Sequence, residues 1–485
     1  MTGPARDAMD AEYWSGRLAE LATRLNVPGS VLGILRFDPS GGDRIVEAAH
    51  GVLNVRTGVA VATDSVFQIG SITKTWTTTI VMRLVAEGLL DLDAPVRTVL
   101  PELELADPEV ARRVTLRHLL THTSGVDGDI FTDTGRGDEC LERYVRLLAS
   151  AAQSQPLGVT WSYCNSGFII VGRAIEKVTG KTWDAALRAY VVEPLGLDRV
   201  CTLPEEAIVH RAAVGHREPG EAGQCEPVPV WQLPRSAGPA GLICTTAASV
   251  LAFARLHLAG GTAPDGSRLL TPESVAEMAA WQVDLPERRH RADSWGLGWA
   301  RFGWDGARLI GHDGATLGQT AFLRILPAQG LAVVLLANAD SGAALSEHLF
   351  REVFTALAGI SPPAPPLPAE PAPETDFRAH LGRYERDGYR YEVYEHEGKP
   401  WLRLTLRGVL AGRAGKKVYE RELRPLDASG DCYLVFDEGT RIWSPATFYG
   451  LPTGERFMFF ALRATPKVTA GECPGFGRGG SVRTL

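Results

Sequence analysis

The chain has 485 residues, a formal net charge of −7, 45% hydrophobic residues and 22% charged residues. These are the proportions of a soluble globular protein with room for two or three domains. They argue against a nucleic-acid partner, since no block of basic residues appears, and against a membrane span, since no apolar run reaches the ~20 residues needed to cross a bilayer. Seven scattered cysteines, at 140, 164, 201, 225, 244, 432 and 473, form no C-x-x-C pair. That argues against a disulfide framework or a zinc site and fits a reducing interior. The polar N-terminus shows no signal peptide, so the expected location is cytoplasmic.

In chain order, Ala11 to Leu25 carries a helical pattern. Two strand-like runs follow, Val31–Phe37 and Arg44–Gly51, separated by an Asp-Pro-Ser-Gly-Gly loop. Ile72, Trp76, Ile80 and Leu84 recur every four positions with Val81 and Val85 beside them, and Gly88 offers a stop, which predicts a helix starting near Ser71. From about 90 to 310 the pattern reads as mostly helical. Strands return with Gly296–Phe302, Thr320–Leu326 and Leu331–Ala337, and a helix from Ala343 to Leu357 closes the region. A sheet drawn from both ends with helices between predicts an α/β or α+β sandwich over 1–360. Ser361–Thr375 holds seven prolines, the composition of a semi-rigid linker. Beyond it, Tyr389–Glu395, Trp401–Leu406, Tyr433–Phe436 and Phe457–Leu462 predict a small β-barrel over 376–467. A Gly-rich tail, 468–485, lacks periodicity and is expected to be flexible.

Three clusters carry chemistry. Ser71 and Lys74 stand at i and i+3 on one helix face, so hydroxyl and amine can touch. A lysine deprotonates a serine only if burial or nearby positive charge lowers its pKa, and the unpaired N–H groups of a first helical turn suit a developing oxyanion. Tyr163-Cys-Asn165 lies in a loop before a helix over Phe168–Val178. Tyr163, with its pKa lowered beside an ammonium, would shuttle a proton, and Asn165 would hold the lysine or a substrate amide. His312-Asp-Gly314-Ala315 precedes the run at Thr320: Gly314 would permit close backbone approach, the Ala315 N–H would join that of Ser71 in an oxyanion hole, and His312 would supply a hydrogen bond or charge. His396-Glu-Gly398 repeats the last pattern at a hairpin turn and is a coincidental match. His118 and His122 share the i, i+4 spacing of metal ligands, but without an intervening glutamate or third ligand they read as structural. No metal or cofactor is expected, and neither a Gly-x-Ser-x-Gly elbow nor a phosphate-binding loop is present.

Ser71-x-x-Lys74, Tyr163-x-Asn165 and His312-x-Gly314, in this order, resemble the three motifs of the serine β-lactamase and penicillin-binding-protein superfamily, in its class C β-lactamase and D,D-peptidase branch. The phrases Leu116–Gly125 and Ala237–Thr246 belong to the same resemblance, which runs from about Arg17 to Leu357. It implies a serine β-lactamase-like fold, a Ser71 acyl-enzyme, and base work shared by Lys74 and Tyr163. His-x-Gly stands where many members have Lys-Thr-Gly, which makes a β-lactam carboxylate site less assured. The chain is also similar to penicillin-binding-protein-type thioesterases, which pair this domain with a lipocalin-like β domain. That likeness implies release and macrocyclisation of a nonribosomal peptide, presented as a thioester or ester with a D-residue at its acylating end by a carrier protein. Two alternatives stay open: an esterase, D-aminopeptidase or D,D-carboxypeptidase-like hydrolase, and a catalytically inactive binding protein. In a cyclase, Arg441, Arg456 and Arg463 of the barrel would reach a peptide carboxylate or else stay solvated.

Overall fold

The structure is a computed structural model that describes residues 8–217, 225–289, 292–408, 411, 417–438 and 440–468. The expected tail lies outside the described residues except for Val468. Helix α1 (Ala11–Arg24) is capped by the Asp10 carboxylate, which accepts from the N–H groups of Glu12 and Tyr13, and it buries Trp14, Leu18, Leu21 and Ala22 along one stripe. Strands β1 (Gly29–Arg36) and β2 (Arg44–Gly51) form the expected hairpin, and the helix α2 (Thr73–Ala86) carries Lys74. Helices α3 (Asn165–Thr179) and α4 (Ala247–Leu258) belong to the helical block. The chain then returns to the sheet through β3 (Val283–Asp284), β4 (Ser294–Trp295), β5 (Ala300–Trp304), β6 (Ala307–Ala315), β7 (Thr320–Leu326) and β8 (Leu331–Ala337), and α5 (Gly342–Ala358) follows.

The eight strands are antiparallel in the order β2-β1-β8-β7-β6-β5-β4-β3. Alternation of period two divides their side chains between two cores. Val31, Leu35, Val334 and Leu336 pack into the helical block, whereas Leu32, Ile34, Val333 and Leu335 pack with α1 and α5. The sheet is therefore covered on both faces, which is the sandwich predicted from sequence.

Helix α2 is buried nearly all round despite its five threonines. The hydroxyls of Thr75, Thr78 and Thr79 donate back to the carbonyls of Ile72, Lys74 and Thr75, and that of Thr77 reaches Pro239, so no buried hydroxyl on that face goes unpaired. Trp76 stacks on Phe253 of α4 with ring centroids 4.4 Å apart. Truncating a core Trp to Ala costs about 3–5 kcal/mol.

Strand β5 overlaps the expected run Gly296–Phe302, whereas β3, β4 and β6 correct the expectation of mostly helical structure up to 310, and His312 lies inside β6 rather than ahead of a strand. Two glycines and two polar residues hide the strand pattern there. Both glycines are sterically required: a Cβ at Gly311 would lie 2.0 Å from the Leu323 carbonyl oxygen, and one at Gly314 2.0 Å from that of Ile69.

The segment 361–375 forms no helix or strand. It is tied to α5 by Arg351, whose guanidinium donates to the carbonyls of Pro362 and Pro363. The C-terminal region then runs through β9 (Gly382–Arg386), β10 (Tyr389–His396), β11 (Lys399–Leu406), β12 (Val418–Glu422), β13 (Arg424–Pro425), β14 (Cys432–Asp437), β15 (Ile442–Gly450), β16 (Arg456–Phe460) and β17 (Arg463–Val468). Each hydrogen-bonded neighbour is antiparallel, and β17 pairs back onto β9. The sheet edges β12 and β13 are consecutive strands separated by Leu423, so the meander returns on itself as a nearly closed barrel. Tyr384, Tyr391, Leu402, Tyr433, Phe448 and Met458 fill its interior. Several of these strands, β9, β12, β15 and β17 among them, are absent from the sequence reading because their polar and apolar residues do not alternate cleanly.

Candidate active site

Helix α2 is entered through a 3-10 turn, Gly70–Ile72, so Ser71 sits just before the α-helix and Lys74 in its first turn. Gly70 has φ +50°, and a Cβ there would lie 2.7 Å from the backbone nitrogen of Ala315. Together, Gly70 and Gly314 let the end of β6 lie directly against the serine turn. The Ser71 N–H is among those that a helix start leaves without an intrahelical acceptor. Ser71 and Ala315 both line a cavity of about 320 Å³, as an oxyanion hole requires.

Lys74 is 0% exposed. Its Nζ lies 3.0 Å from Ser71 Oγ, 2.8 Å from Asn165 Oδ1 and 2.6 Å from the Ala240 carbonyl oxygen. Burial, then the charge of Arg463, push its pKa well below that of a free lysine, against weaker opposition from Asp129 and Cys164. A neutral amine has two hydrogens and one lone pair. Two of its three partners are carbonyl oxygens that only accept, so they take both hydrogens and the lone pair is left for the Ser71 hydroxyl. The geometry is that of a base poised on a nucleophile.

Asn165 begins α3, and its orientation is fixed from behind, because its Nδ2 donates to Asp129 Oδ1 at 2.9 Å. The Tyr163 ring lies 4.8 Å from Lys74 Nζ and 4.7 Å from Arg463 Cζ. Its hydroxyl is buried without a well-formed hydrogen bond among the described residues. Burial raises its pKa, and Ser71 and Arg463 offset this only in part. This corrects the expectation of a lowered tyrosine pKa: the phenol is protonated at neutral pH, because loss of solvent outweighs the neighbouring cations. His312 is buried too, its Nδ1 bonded to the Asp313 carbonyl oxygen at 2.6 Å. Burial, then Lys74, lower its pKa to about 3. It is therefore a neutral imidazole whose one N–H is spent on that carbonyl, so Nε2 can accept a hydrogen bond but cannot supply the charge that was the other expectation.

The cavity walls are largely apolar, with Ile130, Phe131, Ile169, Trp295, Phe302 and Phe322 prominent, and the barrel adds Thr440, Leu462 and Arg463. Of the three barrel arginines singled out in the sequence, Arg463 lines the cavity, whereas Arg441 and Arg456 are exposed. His396-Glu-Gly398 forms the β10–β11 hairpin. His118 and His122 have separate duties. His118 closes a capping box with Thr115, and His122 Nδ1 accepts from the Cys164 N–H at 3.0 Å while its ring packs 4.3 Å from that of Tyr163. The sequence reading did not identify Asp129 or Arg386. An Asp-Gly-Asp stretch at 127–129 was visible, but nothing in it pointed to the Lys74 partner.

A covered antiparallel sheet, a Ser-x-x-Lys pair at the start of a buried helix and a facing His-x-Gly strand define a serine hydrolase of the acyl-enzyme type. The chain belongs to the beta-lactamase family, whose model, described as Beta-lactamase, matches residues 18–358. Penicillin-binding protein 4 of Amycolatopsis lactamdurans is 47% identical over 385 residues, 78% of this chain and 98% of that protein. Esterase EstB of Burkholderia gladioli is 32% identical over 240 residues, 46% of this chain and 59% of that one. The crystal structure of SurE superposes with a TM-score of 0.75 at 28% identity, covering 94% of this chain and 99% of that chain. The structure of SurE with D-Leu gives 0.73 and covers 95% and 100%.

Proposed function

We propose that this enzyme is a stand-alone thioesterase that releases a nonribosomal peptide and closes it into a ring through a Ser71 acyl-enzyme. Neutral Lys74 takes the Ser71 proton as Oγ attacks the acyl carbon, and the N–H groups of Ser71 and Ala315 hold the oxyanion. As the tetrahedral intermediate collapses, the thiol departs with a proton from Tyr163, which regains one from Lys74. An amine of the same peptide then attacks the ester, passes its proton to this pair, and Ser71 leaves with its own proton restored.

The observation that carries the thioester reading is the neutral His312. A neutral imidazole offers no charge to a carboxylate on the leaving side of a substrate, and a thioester has none there to hold. The SurE structure with D-Leu supports a D-residue at the acylating end. The apolar walls and the barrel roof support exclusion of water. The proposed setting is the cytoplasm, with a carrier protein delivering the peptide and the lipocalin-like barrel serving as a lid. The likeness to EstB favours a second reading, in which water takes the place of the amine and the products are a free acid and an alcohol or thiol.

A peptidyl thioester mimic ending in a D-residue tests the choice. Cyclic product that disappears in Ser71→Ala is expected. Linear acid alone, whatever residue stands at the acyl end, rules out the cyclase.

A further inference from the structure

Asp129 is 4% exposed and holds four hydrogen bonds from three parts of the chain. Asn165 Nδ2 donates to Oδ1 at 2.9 Å from the catalytic side. From the barrel, Arg463 Nη2 donates to Oδ1 at 2.8 Å, Arg463 Nε to Oδ2 at 3.0 Å, and Arg386 Nη1 to Oδ2 at 2.7 Å. The remaining Arg463 nitrogen, Nη1, donates to the carbonyl of Ala461. The barrel thus reaches the catalytic lysine through a continuous chain of side chains: Arg463 to Asp129, Asp129 to Asn165, Asn165 to Lys74.

We propose that Arg463 and Arg386 are positioning residues for the reaction: by clamping Asp129 they lock the Asn165 amide toward Lys74 and balance the charge behind it, so the base is complete only when the barrel is docked. This rests on the reading of Lys74 as the base and adds a part for the barrel beyond that of a lid.

A carboxylate so deep needs compensation, since a buried charge left without partners costs several kcal/mol. Asn165 is neutral and supplies none, so both compensating charges come from the barrel. Burial alone would raise Asp129, yet Arg463 and Arg386 hold it well below the ordinary carboxylate range. The charges acting on Lys74 from its surroundings are Arg463, Asp129 and Cys164, and the Tyr163 ring, its phenol kept protonated by burial, lies 4.8 Å from Nζ. Cys164 is a buried thiol pushed up to about 12, and Lys74 in turn acts on His122 and His312, both lowered toward the neutral form by burial. Asp127 and Arg386 stand behind Asp129. Without the arginine charge, Asp129 would pull Lys74 toward the ammonium form, which has no lone pair for Ser71.

The test uses the full chain and a fluorophosphonate probe, so it needs no peptide substrate. Ser71 Oγ forms the bond to phosphorus, fluoride departs, and the serine proton goes to the base. Labelling rate is followed from pH 5 to 9.5 in wild type, Arg463→Lys, Arg463→Met and Arg386→Met. Loss of one unit charge a few ångströms away at an effective dielectric of about 20 moves the acid limb of Arg463→Met upward by about 1–2 pH units. At a pH on the wild-type acid limb, labelling is then expected to fall about 10-fold per unit of that displacement and to recover at higher pH, while Arg463→Lys keeps the wild-type limb. An unmoved limb with the rate lowered equally at every pH overturns the proposal, as does a limb displaced as far in Arg463→Lys as in Arg463→Met. If Arg463→Met does not fold, Arg386→Met, which leaves Arg463 on Asp129, carries the same test with a smaller upward shift expected. Failure of the underlying reading looks different: Lys74→Ala would then label as fast as wild type.

Discussion

The backbone N–H of Tyr163 donates to the carbonyl oxygen of Leu462 at 2.9 Å, so the motif loop of the catalytic region and the tip of the last barrel hairpin are bonded to each other. The Ser162 hydroxyl accepts from the Ala464 N–H beside this bond, and Gln155 donates to the Ala464 carbonyl. Barrel and active site are one hydrogen-bonded unit at this point.

That hairpin tip has an unusual backbone. Phe460 and Arg463 pair across a two-residue loop, and Ala461 and Leu462 take φ values of +49° and +65°. Turns of this kind are normally Asn-Gly, because left-handed backbone costs an L-residue such as Leu about 1–2 kcal/mol. We expect Leu462→Gly to keep or modestly raise the melting temperature while increasing linear acid relative to cyclic product, since the cavity roof loses its side chain. Calorimetry and product analysis on one preparation read both effects, and an unchanged product ratio would remove Leu462 from the roof.

Lys74→Ala should abolish acylation of Ser71, and Lys74→Arg should do so equally, because a guanidinium keeps its proton at every accessible pH. Intact-mass detection of the acyl-enzyme is the measurement. Acylation retained in Lys74→Arg would mean that the base is another group.

His312, with its pKa lowered to about 3, stays neutral from pH 5 to 9. Replacement by Asn should therefore lower kcat without changing the shape of the pH–rate profile in that window. A limb near pH 6 to 7 that vanishes in His312→Asn would show a titrating imidazole instead.

Asp127 provides a stability test. Burial, only partly offset by Arg386, raises its pKa to about 6 from a reference value of 3.8. A carboxyl raised in the folded state favours folding relative to its ionised form below the unfolded value, and that advantage is lost as pH rises through about 6. Asp127→Asn avoids the ionised state while keeping an acceptor for the Asp387 N–H, which now bonds Asp127 at 2.6 Å. It is expected to stabilise the protein by about 1–3 kcal/mol at pH 8 and by much less at pH 4.5. Thermal melts at the two pH values decide this, and an equal shift at both would disprove the raised pKa.

The legible parts of the site were those with local spacing. Ser71 and Lys74 are three residues apart, Tyr163 and Asn165 two, His312 and Gly314 two, and the structure lines one cavity with all of them but Lys74, which is buried behind Ser71 and Asn165. What escaped detection had no local signature: β6 lost its alternation to Gly311, which packs against the Leu323 carbonyl, and to Gly314, which lets it touch the serine turn. Asp129 meets Arg386 and Arg463 across 257 and 334 residues of chain, and no periodicity links positions so far apart.

By itself, then, the sequence determined the family, the sandwich-plus-barrel organisation and the residues that meet at the cavity, because hydrophobic period and short motif spacing are written locally. Only the tertiary structure decided the protonation states. Tyr163 keeps its proton, His312 stays neutral and Lys74 is free to act as a base, since each depends on how much solvent and which distant charges the folded chain leaves beside it.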